Sequence, residues 1–232
     1  MKNSVSDFFV TGTDTGVGKT VLSLLLMKFF FGKGLSPFYF KPLQTGCKNV
    51  YDVDSDSNFI YKHIPELVNK DPEDSVAFCY SQPKAPYFAA KNEGKNINTG
   101  KILEILEDKR KFYNPLIIEG AGGLLVPICE NFLNIDLIKL TRAEIILAAR
   151  AGLGTINHTL LSIESLDKRG LKPIAIILME SSQSATSSDM IYENIEAIEN
   201  FSKIKVAGFI PKIHDFSKID IYIDFSKLYP AY

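Results

Sequence analysis

Between Gly12 and Thr20 the chain reads GTDTGVGKT, a run ending in the Gly-Lys-Thr of a phosphate-binding loop. Counted back from Gly18, the common spacing G-x-x-x-x-G-K-[ST] lands on Thr13, and the nearest glycine is Gly12. The loop is therefore one residue longer than the common pattern. Its flanks suit the chemistry: the short apolar run FFVTG leads in and the apolar helical run VLSLLLMKFFF leads out. Backbone N–H groups from Thr15 to Lys19 can turn inward on phosphate oxygens, and the helix N-terminus adds the positive end of its dipole. Glycines at 12, 16 and 18 leave the backbone open to a ligand, with Thr13, Asp14, Thr15 and Val17 completing the cradle. Lys19 is expected to bridge the β and γ phosphates of a nucleoside triphosphate, and the Thr20 hydroxyl to ligate Mg²⁺. The plainer alternative is a glycine-rich turn with a chance Gly-Lys-Thr, and the strand before and helix after weigh against it.

Two further constellations could serve the same chemistry. In FYFKPLQTG, residues 38–46, Lys41 stands at the end of an expected strand, where a lysine can stabilise charge on a transferring phosphoryl group or a carboxylate. Taken alone it reads more readily as a solvated surface lysine. In PLIIEGAGGLLVPI, residues 115–128, Glu119 closes an apolar strand at the usual place of a second metal anchor, and the glycines after it, Gly122 among them, let the backbone approach a ligand. Asp52, Asp54 and Asp56 in YDVDSDSN offer one more carboxylate, Asp56 foremost, although alternation of this kind also describes a solvated loop.

These groups need elements to carry them. Continuously apolar runs of strand length recur at 8–12, 36–40, 115–119, 143–149, 173–179 and 205–210. Runs without polar alternation suit strands covered on both faces. Helices are expected at 18–32, 56–63, 99–112, 155–169 and 189–201, the last opened by Ser188 or Asp189. The alternation predicts an α/β doubly wound fold, a mostly parallel sheet flanked by helices, with ligands at the carboxyl ends of the strands. No linker divides the 232 residues, so a single domain is expected across 1–232. The serine-rich ESSQSATSSD, 180–189, reads as a surface loop.

Composition narrows the partners. With 26 Lys and Arg against 27 Asp and Glu, nothing points to nucleic acid. The most apolar segment carries Lys28 and is too short to span a bilayer, and the N-terminal stretch does not read as a leader, so a soluble cytoplasmic protein is expected. Cys47, Cys79 and Cys129 are odd in number and widely separated in sequence, with no metal-ligand spacing, and read as reduced thiols.

Taken together, GTDTGVGKT, FKPLQTG, DVDSDS, IIEGAGGLLVPI and GLGTINHTLLS resemble dethiobiotin synthetase of the biotin pathway, whose extended loop shares the long glycine spacing. The resemblance runs from Phe9 to about Pro211 and includes QPKAPYFAAKNEG, similar to a segment beside the family's substrate. The tail, about 212–232, matches nothing in the family pattern. The resemblance implies closure of a ureido ring from 7,8-diaminononanoate, CO₂ and MgATP by way of a carbamate and a carbamic-phosphoric anhydride. It implies that Lys19, Lys41 and Mg²⁺ on Thr20, Asp56 and Glu119 neutralise the approaching anions. Thr15 is then expected at the transferring phosphate, and Thr45 with Gly122 at the carbamate or amine. It further implies a homodimer in which Leu153, Gly154, Thr155, Ile156 and Asn157, at the start of a helix, reach the neighbouring subunit's substrate carboxylate. The same residues would serve equally as an ordinary helix start.

Two departures stand out. Some members carry a glutamate at Gly16. The family usually has Asn-Asp after the strand at 173–179, where the amide reads adenine, and here Met179-Glu180 stands instead. A thioether cannot donate and accept as an amide does. Weak base discrimination is expected, with GTP or CTP serving nearly as well as ATP beside Met179 and Pro211. The nearest rival is a partitioning or cell-division ATPase, which carries a second lysine early in its loop. Asp14 is acidic at that position. An amidotransferase-type cobyrinate synthase would need more chain, and a GTP-binding signalling module would need an N-K-x-D motif that does not occur.

Overall fold

Along the first strand, β1 (Phe8–Gly12), successive side chains enter opposite layers: Phe8 and Val10 pack with the first helix, α1 (Lys19–Gly32), while Phe9 joins the layer on the other face. Burial on both sides explains the lack of polar alternation in FFVTG. The computed structural model describes residues 5–181, 185–216 and 225. The remaining elements are β2 (Phe38–Thr45), α2 (Asp56–His63), β3 (Val76–Tyr80), α3 (Pro86–Asn92), α4 (Thr99–Arg110), β4 (Leu116–Gly123), β5 (Pro127–Cys129), β6 (Phe132–Leu133), α5 (Asn134–Thr141), β7 (Glu144–Arg150), α6 (Thr155–Asp167), β8 (Pro173–Met179), α7 (Ser188–Ser202) and β9 (Val206–Ile210).

Among the described residues seven strands form one parallel sheet in the order β3-β2-β4-β1-β7-β8-β9, with β5 and β6 as a separate antiparallel pair. Because every strand of the large sheet points the same way, their carboxyl ends gather at one edge, where the chain from β1 turns into α1. Residues Leu22, Leu24, Leu25, Leu26 and Met27 are all buried, as an α1 apolar nearly all round requires. The far layer holds Phe40, Ile118, Ile102 and Ile138, and a third cluster joins β7 and β8 to α7 through Leu147, Leu178 and Ile198.

The expected strands and helices recur within a few residues, with one informative difference. Strand β2 does not stop before Pro42 but continues to Thr45. It pairs with β4 through Phe38–Phe40 and with β3 from Lys41 to Thr45. Pro42, which has no N–H to give, falls where the strand changes partner. Lys41 consequently lies in mid-strand, buried at 5% exposure, which corrects the expectation of a strand-end or surface lysine. The strand β3, the short helices α3 and α5 and the β5–β6 pair went unread in the sequence.

Cys47 and Cys79, far apart in sequence, place their Sγ atoms 3.7 Å apart as free thiols, and burial pushes the Cys47 thiol up to about 12. No described helix is long and apolar enough to cross a membrane. Among the described tail residues, Phe216 packs on Phe59 and Phe225 on Phe29. Most of the serine-rich loop is described, but residues 182–184 lie outside the described set, as does most of the tail.

Candidate active site

At the carboxyl edge, β1 delivers Gly12 and α1 begins at Lys19, so the loop between them bends around a short gap. Gly18 makes this turn with φ of 100°, and an added Cβ would come within 2.8 Å of the Met179 methyl. Both the left-handed backbone and the close approach of β8 therefore call for glycine. Lys19 is buried at 6% exposure and its Nζ donates to the Asp14 carbonyl at 3.0 Å. Burial, reinforced by the Lys41 charge, lowers its pKa to about 8. The Asp14 carboxylate accepts the Thr15 N–H at 2.7 Å and pairs with Arg150 Nη2 at 2.7 Å, which offsets the negative charge at the loop.

Below the loop, four elements, α1, β2, α2 and β4, bring their groups to one point. Thr20 Oγ1 lies 2.8 Å from Asp56 Oδ1 and 3.0 Å from Glu119 Oε1. Lys41 Nζ lies 2.7 Å from Asp56 Oδ2 and 2.7 Å from Glu119 Oε1. Burial by itself would lower the Lys41 pKa, but the two carboxylates outweigh it and hold the ammonium above the usual lysine range. For Asp56 burial acts upward, and Lys41 with Thr20 overcomes it, so its carboxyl titrates below the ordinary range. Of the three aspartates in DVDSDS only Asp56 joins the site. It starts α2, and its N–H donates to Gln44 Oε1 at 3.1 Å, whereas the Asp52 carboxylate is spent on the N–H groups of Lys48 and Val53.

A hydroxyl and two carboxylates converging on one point form the hard oxygen set that suits Mg²⁺ carried by phosphate. Thr20 has one proton to share between two carboxylate oxygens, so this set has acceptor capacity to spare for a cation. Among the described residues no cluster of three His, Cys, Asp or Glu is placed to hold a metal.

The groups open into a cleft of about 580 Å³. Thr15, Gly16, Lys19 and Thr20 form one wall, Lys41, Gln44, Thr45 and Asp56 another, with Glu119 and Gly122 beside them. The far side is apolar, from Leu43, Ala121 and Val126 to Pro83 and Pro86, and Lys84 stands at its rim. Sequence reasoning had placed QPKAPY near a substrate and missed Gln44, Tyr39 and Ser23, whose contacts cross between elements.

Other expected residues lie elsewhere. Pro211 lines a separate cleft of about 370 Å³ with Glu180, Thr186, Phe209 and His214, at the ends of β8 and β9. Met179 does not line it; buried at 3% exposure, it packs beneath Gly18. Leu153, at 89% exposure, and Asn157 project outward at the start of α6, away from this chain's own cleft. The Thr155 N–H, expected to be open to a carboxylate, is taken by the Gly152 carbonyl at 3.2 Å, and its hydroxyl turns inward to Thr159.

Comparison with known proteins decides the family. The chain is 34% identical to the ATP-dependent dethiobiotin synthetase of Methanococcus vannielii, across 95% of this chain and 98% of that one. It is 35% identical to the Bacillus subtilis protein of that name, covering 91% of this chain and 89% of the relative. The chain belongs to the dethiobiotin synthetase family. Within it, the biotin biosynthesis bifunctional protein of Bordetella avium matches 92% of this chain at 40% identity, over 42% of its own length. The family description "AAA domain" matches residues 6–220. Solved structures share the fold: a putative plasmid partition protein of Borrelia burgdorferi bound to AMPPNP superposes with a TM-score of 0.59 at 15% identity, over 97% of this chain and 94% of that one. The MinC:MinD cell division complex of Aquifex aeolicus gives 0.58 at 14% identity, over 92% and 85%. These likenesses are of fold alone.

Proposed function

We propose that this chain acts as one domain that makes dethiobiotin from 7,8-diaminononanoate and CO₂ at the expense of ATP. Family membership supports the reading, and one observation carries the chemistry: Lys19, Lys41, Thr20, Asp56 and Glu119 share a cleft with an apolar wall. On this reading one amine of the substrate adds to CO₂ and loses a proton to give a carbamate. A carbamate oxygen then attacks the γ-phosphorus, ADP leaves, and the second amine attacks the carbonyl carbon of the mixed anhydride, expelling phosphate and closing the ring.

The difficulty lies in the second step, where two anions must meet. Preorganised cations are the physical answer. Lys19 serves the β and γ phosphates, and Lys41, held charged by its carboxylate neighbours, faces the carbamate and the transferring group. Thr20, Asp56 and Glu119 would hold Mg²⁺, which when bound neutralises phosphate charge. Thr15 sits at the phosphate side, Thr45 and Gly122 at the carbamate side, and Leu43, Ala121 and Val126 take the aliphatic chain.

Base discrimination is proposed to be weak. Met179 is turned under Gly18, and among the described residues lining the cleft at Pro211 there is no Asn or Gln to read adenine. The active form is proposed to be a homodimer in which Leu153, Gly154 and Asn157 reach the partner's cleft. The exposed Leu125 and Leu161, which line a groove of about 450 Å³, and the exposed Leu153 support that association.

The test is a mass-spectrometric assay for dethiobiotin with diaminononanoate, bicarbonate and Mg²⁺, supplied in parallel with ATP, GTP or CTP. Product with all three at rates within an order of magnitude is expected. A strong ATP preference overturns the relaxed-base reading alone, and absence of product with every nucleotide overturns the reaction.

A further inference from the structure

Glu119 is gripped on both of its oxygens, and only one grip belongs to the chemistry described above. Oε1 meets Thr20 and Lys41 at 3.0 and 2.7 Å. Oε2 accepts the Tyr39 hydroxyl at 2.9 Å and the Ser23 hydroxyl at 3.1 Å. We propose that Tyr39, assisted by Ser23, is a positioning residue that fixes which Glu119 oxygen faces the metal and Lys41. This rests on the reading of Glu119 as a ligand of Mg²⁺.

The topology builds the grip twice over. Thr20 and Ser23 are three residues apart on α1 and so lie on one face of the helix, one turn apart. Tyr39 and Lys41 are two residues apart on β2 and so share one face of the sheet. Helix α1 runs away from the carboxyl edge while β2 runs toward it, so Ser23 and Tyr39 form the deeper pair. Neither lines the cleft, and a reactant meets Thr20 and Lys41 instead.

A carboxylate has no proton to give, so both deep hydroxyls must donate to it. Tyr39 is 1% exposed and Ser23 fully buried, so water does not compete for Oε2. Two fixed donors on that oxygen stop the carboxylate from rotating. Without them only Lys41 and Thr20, both on Oε1, would hold the carboxylate, which could then turn about that contact. A purely apolar packing role would not require the tyrosine oxygen at all.

The experiment compares Tyr39→Phe and Ser23→Ala with Tyr61→Phe, which loses a buried hydroxyl contact to Ser75 at 2.7 Å, away from Glu119. Binding of Mn²⁺ in the presence of a non-hydrolysable ATP analogue is read by electron paramagnetic resonance, alongside metal-free binding of the same analogue. A hydrogen bond to a charged group predicts a loss of roughly tenfold in Mn²⁺ affinity for Tyr39→Phe, with metal-free binding unchanged. Ser23→Ala should move in the same direction, Tyr61→Phe should leave Mn²⁺ affinity alone, and Tyr39→Phe should add nothing in a Glu119→Gln background.

Unchanged Mn²⁺ affinity in Tyr39→Phe, with Glu119→Gln impaired, overturns the positioning role while leaving the metal reading standing. Unchanged affinity in Glu119→Gln overturns both. Should Tyr39→Phe not fold, Ser23→Ala decides by the same readouts.

Discussion

Lys41 shows how much a single side chain settles here. Its ammonium lies 2.7 Å from each of two carboxylates, one of them 1% exposed, so its removal strands negative charge in the interior. Lys41→Met keeps the approximate volume and deletes the charge. Breaking a buried pair in this way costs about 3–5 kcal/mol, and urea unfolding at neutral pH should report a loss of that order together with loss of dethiobiotin synthesis. The pH dependence has a definite sign. In the parent protein Asp56 titrates below its ordinary range, so its share of stability is present above the ordinary carboxylate pKa and is lost as pH falls through the lowered folded value. In Lys41→Met that lowering disappears, so the gap between the two proteins should be widest at neutral pH and narrow on acidification. A gap that stays constant from neutral pH into the acid range would show that Lys41 acts by packing. The loop and Glu119 were legible because their residue types are rare in those sequence settings, whereas Asp56 was one of three aspartates that read equally as a solvated loop until the fold singled it out. Tyr39, Ser23 and Gln44 were not, because a serine inside a helix or a tyrosine inside a strand carries no mark of the carboxylate or N–H that the fold brings to it.

At the scale of elements, legibility followed length and burial. Strands β1 and β8 and helix α2 recur with the boundaries read from the sequence, the strands as runs more buried than the residues next to them and the helix opening after its Ser55 cap. The sequence reading ended β2 too early because a proline normally interrupts a ladder, and only the change of partner at Lys41 shows why it does not here. Strand β3 sits at the sheet edge with four of its five residues only half-buried, so it lacks the continuous apolar signature of the inner strands. Strand β4 carries its own constraint just past Glu119. A Cβ on Gly120 would come within 2.8 Å of Asn134 Nδ2 and 2.9 Å of Phe9 Cε1. Neither neighbour can move freely, since Asn134 Nδ2 bonds the Gly123 carbonyl at 3.2 Å and Phe9 is fully buried. Gly120→Ala should therefore destabilise the protein by about 1–3 kcal/mol through overpacking. Because the strand must shift beside Glu119, nucleotide-dependent Mn²⁺ binding should weaken with it. Thermal melting unchanged from the parent would show that the strand has slack that these distances do not suggest.

At the scale of the whole molecule, the parallel sheet and its helices collect Lys19, Lys41, Asp56 and Glu119 from α1, β2, α2 and β4 at one edge, yet carry Leu153 and Asn157 away from that cleft. One chain thus gathers the residues proposed for the phosphate side, while the residues implied for the substrate carboxylate face outward. The proposed homodimer resolves this if each subunit supplies its α6 loop to the other, and the two halves can then be disabled separately. A Lys41→Met subunit keeps an intact loop, and a Leu153→Asp, Asn157→Ala subunit keeps an intact phosphate side. Each variant alone should make little dethiobiotin. When equal amounts are unfolded together and refolded, random pairing puts about half of the chains in mixed dimers with one intact cleft out of two, for about a quarter of parent activity. Sedimentation velocity on the same samples should report dimers throughout. Activity no higher than the average of the two variants, in samples that do dimerise, would mean that each cleft is built from one chain, and that the carboxylate of the substrate is held by that chain's own rim, where Lys84 stands.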